Sequence, residues 1–523
     1  MDKSRRKFIG QFAVSALSAK ALLGQSALAD QSIDNPSLES WRDRERNRHG
    51  DRHTEVLILG AGISGLVAAY ELTKAGYNCR ILEARDRPGG RNETIRHGSV
   101  IKEFDREDVC QFSRDKSVYF NSGAGRISQR HTRLLGYCRE LGVEMETFVN
   151  DNYTATYRMN EGYGGKPVPF RQLHASQRGL IASTLAQAID QSLVDDLIEP
   201  YNVEQMLAML KTFGDLQQDY TYQGSTRAGI VEGTGILSPA EPIEGVDFSD
   251  FMAAEDPWSQ MELAAGERID YQPNMLQPVG GMDKIPYAFA KRLRRRIQYE
   301  SVVSKIERSG EGGTVTYTQY GRERAISADH IIVTIPLTVL QGIEHDFSED
   351  ISSAIDGAFY APPGKVAFES ERFWESEESI YGGVSYMESE NSAIWYPSGD
   401  YNAKTGSLGC GYIYWGINFA NMDNYQRNES ALSQVEKTHP NIRQHARHGC
   451  SRSWKNTPFS EGGWSNVPPA PAFSHADGPY VFAGDHTTYL SGWQEGAVLS
   501  AHRAIEIVAQ LVEAKQSLQA ANL

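Results

Sequence analysis

The stretch "EVLILGAGISGLVAAYELTKAGYNCRILEARDRPGGR", residues 55–91, predicts a β-strand, an α-helix and a second β-strand in direct succession. "VLIL" is a continuous apolar run, which is typical of a parallel strand buried on both faces. "SGLVAAYELTKAG" has helical periodicity and ends on a glycine, the residue that most often caps a helix. "CRILEA" is a second buried strand. The stretch is therefore predicted to be a βαβ unit.

Three glycines of this unit are spaced as a dinucleotide-binding loop. Gly60, Gly62 and Gly65 form G-x-G-x-x-G directly after the strand and at the start of the helix. The first glycine permits the tight turn, the second lets a pyrophosphate approach the backbone, and the third lets helix and strand pack closely. The helix N-terminus supplies amides and a favourable dipole for phosphate. Glu83 ends the second strand, where an acid binds ribose hydroxyls, so a dinucleotide site is predicted.

The residues after Glu83 favour FAD over NAD. "EARDRPGGR" is not typical of nicotinamide enzymes and resembles the flavin amine oxidase fingerprint, in which the βαβ unit continues into R-x-G-G-R. Further segments resemble the same family, and the matches extend from residue 54 to about 510: "VGGMDKIP" (279–286), "SVVSKI" (301–306), "VFAGDHTT" (481–488) and "SGWQEGAVLSA" (491–501).

The resemblance implies a cofactor site for FAD. Asp485 would hold the ribityl chain, and the cofactor would be non-covalent, because "SEGGWSN" has Trp464 where monoamine oxidases have the cysteine that bonds the flavin. The residues expected at the cofactor are Gly60, Gly62, Ser64, Gly65, Glu83, Ala84, Arg85, Gly90, Arg91, Gly123, Ala124, Gly125, Arg126, Val303, Trp464, Gly484, Asp485, Trp493, Gln494 and Ala497.

Arg126, in "YFNSGAGRIS" (119–128), is the cation that discriminates between substrates. A planar guanidinium binds a carboxylate bidentately, and in a dry pocket it needs an anion. The stretch resembles the one in L-amino-acid oxidases whose arginine binds the substrate carboxylate. The same resemblance implies that Tyr396 is a second carboxylate contact, that Lys365 holds a water near flavin N5, and that Trp493 forms a wall of the substrate slot.

These residues predict oxidative deamination of L-amino acids. Hydride would pass from Cα to flavin N5, and the products would be a 2-oxo acid, ammonium and hydrogen peroxide, with oxygen as electron acceptor. "WYP", "IYW" and Trp493 favour large apolar or aromatic substrates. His174 is the only histidine between residues 132 and 329, and it is a weak candidate for a general base.

Three alternatives stay open at this point. An oxidase of polyamines or other primary amines would want acids in its channel, and "DFSDFMAAEDPW" (247–258) offers some. An amino-acid 2-monooxygenase would release a carboxamide and carbon dioxide. A flavin-binding assembly or redox module would bind FAD without turning over any amine.

The 523 residues are too many for one compact core, so two or three domains are expected. The fold class is mixed α/β: a Rossmann-like FAD-binding domain, a substrate domain built on an antiparallel sheet, and an inserted helical region. The predicted spans are 54–100, 270–345 and 447–515 for the FAD-binding domain, 101–155 and 346–446 for the substrate domain, and 156–269 for the helical region.

Residues 1–29 resemble a twin-arginine export signal. Arg5 and Arg6 precede a short apolar run, and A-x-A at Ala27–Ala29 offers a cleavage site. The apolar run is too short to span a bilayer and contains Lys20, so a cleaved signal is expected and not a membrane anchor. The protein is therefore predicted to be exported folded to the periplasm or outside the cell.

The composition limits other functions. The formal net charge of −15 argues against nucleic-acid binding. The five cysteines have no C-x-x-C spacing, so no metal site is predicted and one disulfide stays possible. Family members are often dimers, so a homodimer is possible.

Overall fold

The computed structural model describes residues 54–194, 202–247, 249–250 and 267–521. The predicted export signal, residues 1–29, lies outside these ranges, as does most of the acidic stretch at 247–258. Among the helices of the described residues, none combines the length and apolar character needed to cross a membrane.

The described chain contains strands in six sheets. In chain order they are β1 (Glu55–Leu59), β2 (Asn78–Leu82), β3 (Thr94–Ile95), β4 (Val100–Glu103), β5 (Arg106–Val109), β6 (Phe120–Asn121), β7 (Met145–Val149), β8 (Thr156–Arg158), β9 (Pro167–Pro169), β10 (Asn274–Pro278), β11 (Ile297–Gln298), β12 (Ser301–Ser309), β13 (Gly312–Gln319), β14 (Arg322–Ala328), β15 (His330–Val333), β16 (Glu344–His345), β17 (Gly364–Glu371), β18 (Gly383–Met387), β19 (Ala393–Tyr396), β20 (Thr405–Ile413), β21 (Arg447–Ser453) and β22 (Tyr480–Phe482).

The α-helices of the described residues range from one turn to 28 residues. They are α1 (Ile63–Ala75), α2 (Thr132–Leu141), α3 (Phe170–Asp190), α4 (Val203–Gly214), α5 (Lys284–Leu293), α6 (Leu337–Leu340), α7 (Glu349–Asp356), α8 (Phe373–Ser376), α9 (Ile417–Asn421), α10 (Asn424–Val435), α11 (Ile442–His445) and α12 (Gln494–Ala521).

A five-stranded parallel sheet forms the first layer, in the order β11-β2-β1-β15-β22. β1 lies at its centre, and Val56–Leu59 are buried because helices cover the sheet. Helix α1 follows β1 and ends at Gly76, whose φ of +104° is the left-handed conformation of a helix cap. Helix α12 packs on α1, and Leu66 shares a buried cluster with Val498. The predicted βαβ unit is therefore present, and the mixed α/β fold class is confirmed.

A seven-stranded sheet forms the second layer, in the order β21-β17-β20-β19-β18-β8-β9. Its neighbours are antiparallel except for β18 and β8. This sheet contains strands that the sequence assigned to other domains, so two of the predicted domain boundaries differ from the observed sheet. β21 was expected in the FAD-binding domain but pairs with β17, and β8 and β9 were expected in the helical region but extend this sheet.

The polar sequence of β21 explains the first of these differences. "RHGCSRS" lacks the apolar alternation that marks a half-buried strand, yet Arg452 is buried. Its guanidinium donates two hydrogen bonds to the carboxylate of Glu93, at 2.7 and 2.9 Å, across 359 sequence positions. A buried charge is tolerated when it is paired in this way. The strand is therefore stabilised by an ion pair that cannot be predicted from the sequence of the strand alone.

Helices α3 and α4 lie within the predicted helical region and pack on each other through Ala182, Ala186 and Leu210. The five cysteines are all buried, and the structure contains no disulfide among them. In the described residues there is also no cluster of His, Cys, Asp and Glu suited to a metal ion.

Candidate functional site

A cavity of 2410 Å³ extends from the loop after β1 to the face of the seven-stranded sheet. Its lining comes from both layers, because the parallel sheet contributes the glycine loop while β17, β19 and β20 contribute Lys365, Trp395 and Tyr412. Most of the sequence-predicted site residues line this one cavity. They are Gly60, Gly62, Glu83, Ala84, Arg85, Gly90, Arg91, Gly123, Ala124, Gly125, Arg126, Val303, Lys365, Tyr396, Trp464, Asp485, Trp493, Gln494 and Ala497.

The glycine loop has the shape that a pyrophosphate needs. A Cβ added to Gly62 would meet no atom within 4 Å, so this backbone is open toward the cavity. A Cβ on Gly65 would collide with the carbonyl oxygen of Gly60, so the third glycine permits close packing and does not line the cavity. Helix α1 begins at this loop with Ile63, which lines the cavity, so the free amides of its first turn lie next to the opening.

Glu83 is fixed at the end of β2 by backbone amides. One carboxylate oxygen accepts the Ala61 N–H at 2.7 Å and the other accepts the Arg85 N–H at 2.9 Å. The side chain is buried, yet each oxygen has a further lone pair, which a ribose hydroxyl can use. Ala84 and Val303 line the same end of the cavity. The residues present therefore fit the adenosine end of a dinucleotide.

Asp485 lies at the other end of the predicted cofactor site and forms an ion pair with Arg91. It also accepts the Gly492 N–H at 2.8 Å. Burial by itself raises the pKa of Asp485, but Arg91, His486 and the Gly492 N–H together outweigh it, and the pKa falls below its ordinary value. The carboxylate is thus an acceptor at neutral pH, which is what a ribityl hydroxyl requires.

Three predicted cofactor residues do not line the cavity. They are Ser64, Gly65 and Gly484. The Ser64 hydroxyl lies 3.2 Å from the Ser500 hydroxyl, and the Gly484 N–H donates to that same oxygen at 2.9 Å. Ser64 and Gly484 are thus hydrogen-bonded to Ser500 of α12, and Gly65 packs against the Gly60 carbonyl.

Arg126 lines the cavity with two aromatic rings against its guanidinium. Its Cζ lies 4.7 Å from the centres of both the Tyr271 and Trp395 rings. The Nη1 atom of Arg126 is buried and has no hydrogen-bond partner, and the same is true of Trp395 Nε1. Two buried donors without partners, on side chains that contact each other, are costly unless an acceptor reaches them, and a carboxylate offers two acceptor oxygens. The arrangement fits a carboxylate.

Lys365, on β17, lines the same cavity as Arg126 and Trp395. Its Nζ donates to the carbonyl oxygens of Gly123 at 2.6 Å and Asn121 at 3.2 Å, so it fixes the loop that carries Arg126. Burial and, after it, the charge of Arg126 together lower the pKa of Lys365 to about 7. An amine that titrates near neutrality can hold or release a proton at the site.

Trp493 is held edge-to-face by two neighbours. Its ring lies 4.9 Å from His131 and 5.7 Å from Tyr271. Since Tyr271 also contacts Arg126, the predicted wall residue and the predicted carboxylate contact are joined through one phenol. Burial lowers the pKa of His131 to about 4, so this imidazole is neutral at physiological pH.

Tyr396, predicted as a second carboxylate contact, lines the cavity, but its hydroxyl is engaged elsewhere. Its hydroxyl donates to Ser385 at 2.9 Å and lies 2.6 Å from Nε2 of His439, and its ring packs in the core of the seven-stranded sheet. Successive side chains of a strand point to opposite faces. On β19 the residue directed at Arg126 is therefore Trp395, one position earlier.

His174 does not line the cavity, and its ring packs near Tyr153 and Phe170. This weak candidate for a general base therefore has no contact with the cavity in the structure. Two residues that sequence reasoning missed are Tyr271 and Trp395. Because side chains alternate between the two faces of a strand, the stretch "AIWY" allows Trp395 to be considered in place of Tyr396. Nothing in the sequence around Tyr271 indicates a role at the site.

The chain matches the protein family described as flavin containing amine oxidoreductase over residues 63–508. An L-amino-acid oxidase of Gloydius blomhoffii is 25% identical over 522 residues, covering 92% of this chain and 97% of the relative. The flavin-dependent L-tryptophan oxidase RebO of Lentzea aerocolonigenes is 27% identical over 490 residues, covering 87% and 98%.

Solved structures with the same fold include two amine oxidases. Cyclohexylamine oxidase from Brevibacterium oxydans has a TM-score of 0.59 at 19% identity, covering 88% of this chain and 99% of its own. Putrescine oxidase with bound putrescine has a TM-score of 0.56 at 18% identity, covering 87% and 99%. At such identities the likeness shows the fold alone.

Proposed function

Since the chain belongs to the family of flavin-containing amine oxidoreductases, we propose that it is an L-amino-acid oxidase. It holds FAD without a covalent bond and uses oxygen as the electron acceptor. The single observation that carries this proposal is the buried Arg126 Nη1, which faces the cavity without a hydrogen-bond partner, on a side chain in contact with Trp395, whose Nε1 is also without one. An amino acid brings a carboxylate to these donors, whereas a simple amine brings none and leaves them without an acceptor.

The residues suited to FAD divide the cavity into two parts. Gly62 and the amides of α1 would meet the pyrophosphate, Glu83 the adenosine ribose, and Asp485 the ribityl chain. Trp464 lines the cavity at the place of the family's bonding cysteine, and no cysteine lines the cavity within the described chain. Both facts support non-covalent binding.

Bound FAD would supply the redox chemistry, taking a hydride from the substrate Cα at N5 and passing the two electrons to oxygen. Arg126 and Trp395 bind the α-carboxylate and set the direction of Cα–H. Trp493 forms the slot wall, its ring fixed by His131 and Tyr271. Lys365, with a pKa of about 7, donates or accepts a proton through a water in the same space. The imino acid released hydrolyses to a 2-oxo acid and ammonium.

The test is a peroxide assay on the purified yellow protein. The panel contains the common L-amino acids, their D-forms, and decarboxylated amines such as phenylethylamine and putrescine. Activity on L-amino acids but not on the matching amines supports the proposal. Activity on the amines alone refutes it and makes Arg126 a structural residue.

The same assay separates the other candidates. A 2-monooxygenase forms carboxamide and carbon dioxide and little peroxide, and mass spectrometry of the products distinguishes it. A non-catalytic flavoprotein binds FAD and oxidises nothing in the panel. The acidic stretch that favours a polyamine oxidase lies mostly outside the described residues, so no contact of the structure supports that alternative.

We also propose that the enzyme is exported folded by the twin-arginine route to the periplasm or beyond. The support is the sequence of residues 1–29 alone. Replacement of Arg5 and Arg6 by lysines should retain the protein in the cytoplasm, as cell fractionation with a peroxide assay would measure.

A further inference from the structure

A second arginine faces the same cavity and takes no part in the chemistry above. Arg268 lines the cavity, and its Nη2 atom is buried without a hydrogen-bond partner. No carboxylate of the described residues forms an ion pair with it. The nearest acid in sequence, Glu267, is exposed and lies outside the cavity lining. Arg268 therefore has the same unmet need for an anion as Arg126.

The two arginines are joined by one aromatic ring. The Cζ of Arg126 lies 4.7 Å from the centre of the Tyr271 ring, and the Cζ of Arg268 lies 5.7 Å from the same centre. The two guanidinium carbons are therefore separated by no more than about 10 Å, the sum of these distances. A bidentate pair sets a guanidinium carbon and a carboxylate carbon about 4 Å apart. Two carboxylates on one short carbon chain can therefore reach both groups if the chain lies alongside them and not in a straight line between them.

The aromatic side chains of the cavity do not contradict a charged substrate. Tyr271 and Trp395 contact Arg126, and Tyr271 also contacts Arg268, so these rings serve the guanidiniums as cation–π partners. The aromatic stretches of the sequence favour a large apolar or aromatic substrate. In the structure, the rings nearest the carboxylate site are already in contact with arginine guanidiniums. These rings therefore give little support to an apolar or aromatic substrate.

We propose that the substrate class is the acidic L-amino acids, with Arg126 binding the α-carboxylate and Arg268 binding the side-chain carboxylate of L-glutamate or L-aspartate. The inference rests on the proposed function, because it assumes that Arg126 binds the α-carboxylate of the substrate and adds a binding residue for the side-chain carboxylate. Two guanidiniums in one cavity also disfavour cationic amines by charge repulsion, which separates this enzyme from oxidases of polyamines.

The test compares charged and neutral substrates of equal size. The wild-type holoenzyme is assayed for peroxide with L-glutamate, L-glutamine, L-aspartate, L-asparagine, L-leucine and L-phenylalanine. The variant Arg268→Gln is assayed alongside, with Arg171→Gln as a matched control, since Arg171 is exposed and outside the cavity lining. Loss of one charge-assisted pair is expected to lower kcat/KM for L-glutamate about 30- to 150-fold, while kcat/KM for L-glutamine changes little.

A binding measurement gives a readout besides turnover. Glutarate is a dicarboxylate that lacks an amine and cannot be oxidised, and butyrate is its monocarboxylate counterpart. Titration of the flavin absorbance should give tighter binding of glutarate than of butyrate in the wild type, and equal binding in Arg268→Gln.

Each other result overturns the inference in a recognisable way. Oxidation of leucine or phenylalanine but not of glutamate leaves the proposed function intact and removes the acidic substrate class. Oxidation of amines alone removes both. Residues 251–266 lie outside the described chain and contain acids. If Arg268 serves one of them structurally, Arg268→Gln will lower activity on every substrate equally and reduce the flavin content, and the inference fails.

Discussion

The guanidinium carbon of Arg126 lies 4.7 Å from the centre of the Trp395 ring, and each of the two side chains carries a buried nitrogen donor without a partner. The two donors come from distant parts of the chain, a glycine-rich loop and a strand of the seven-stranded sheet. Their meeting inside the cavity is the geometric basis for expecting a carboxylate in the substrate.

The first prediction concerns the charge of Arg126. Arg126→Met removes the charge-assisted pair with the carboxylate, so kcat/KM for the best L-amino acid should fall about 30- to 150-fold. Steady-state peroxide kinetics measure this, and flavin absorbance confirms that FAD is still bound. An unchanged kcat/KM in a flavin-loaded variant removes Arg126 from the substrate site.

The second prediction uses neighbouring positions on β19 as a matched pair. Trp395→Phe keeps a ring against Arg126 but removes the Nε1 donor, so kcat/KM should fall about tenfold or more. Tyr396→Phe removes hydrogen bonds to Ser385 and His439 in the core and should cost about 1–3 kcal/mol of unfolding free energy, with KM unchanged. Urea denaturation and steady-state kinetics separate the two effects. If KM rises for Tyr396→Phe and not for Trp395→Phe, the assignment of faces on β19 is reversed.

These positions also show how far sequence reasoning reached. The spacing of the glycine loop and Glu83, and the family resemblance of the stretches around Arg126 and Lys365, pointed to residues that all contribute to one cavity. The sequence predicted Tyr396 beside Arg126, whereas the ring in contact with Arg126 is that of Trp395. Neighbouring residues of a strand lie on opposite faces, and only pairing with the adjacent strands fixes which face is buried. The polar strand β21 is buried because Arg452 forms an ion pair with Glu93. Tyr271 contacts Arg126 although the two residues are 145 positions apart in the chain. Such long-range pairings are set by tertiary packing, which the local pattern does not contain.

The third prediction follows from the pKa of Lys365, which is lowered from 10.5 to about 7 by burial and by Arg126. Between these two pH values the unfolded chain holds a proton that the folded protein has lost, so stability rises with pH. The contribution is complete above about pH 10.5 and is lost as the pH falls through about 7. The wild type should therefore gain stability relative to Lys365→Met as the pH rises from about 6 to 9.

Thermal denaturation of both proteins in a series of buffers measures this difference. The absolute stability of Lys365→Met depends also on the carbonyls of Asn121 and Gly123, which lose their donor. The test therefore uses the slope with pH and not the midpoint at one pH. Parallel curves for the two proteins would show that Lys365 titrates in its ordinary range.

The fourth prediction separates the cofactor role of one loop glycine from the packing role of another. Gly62 has φ of −69°, which any residue adopts, and a Cβ there meets no atom within 4 Å. Gly62→Val should therefore fold normally but place its methyls where the pyrophosphate is expected, so the protein should be purified with little flavin. Gly65→Ala directs a methyl into the carbonyl of Gly60 and should lower stability with or without flavin.

The ratio of flavin to protein absorbance and the circular dichroism of the apoproteins distinguish these outcomes. Gly136→Ala is the control, because Gly136 lies in α2 and a Cβ there also meets no atom within 4 Å, but it does not line the cavity. This change should keep the flavin and stabilise the helix by up to about 1 kcal/mol. Full flavin content in Gly62→Val would mean that the cofactor phosphates do not pass over this loop, and the fit of the dinucleotide to the start of α1 would have to be abandoned.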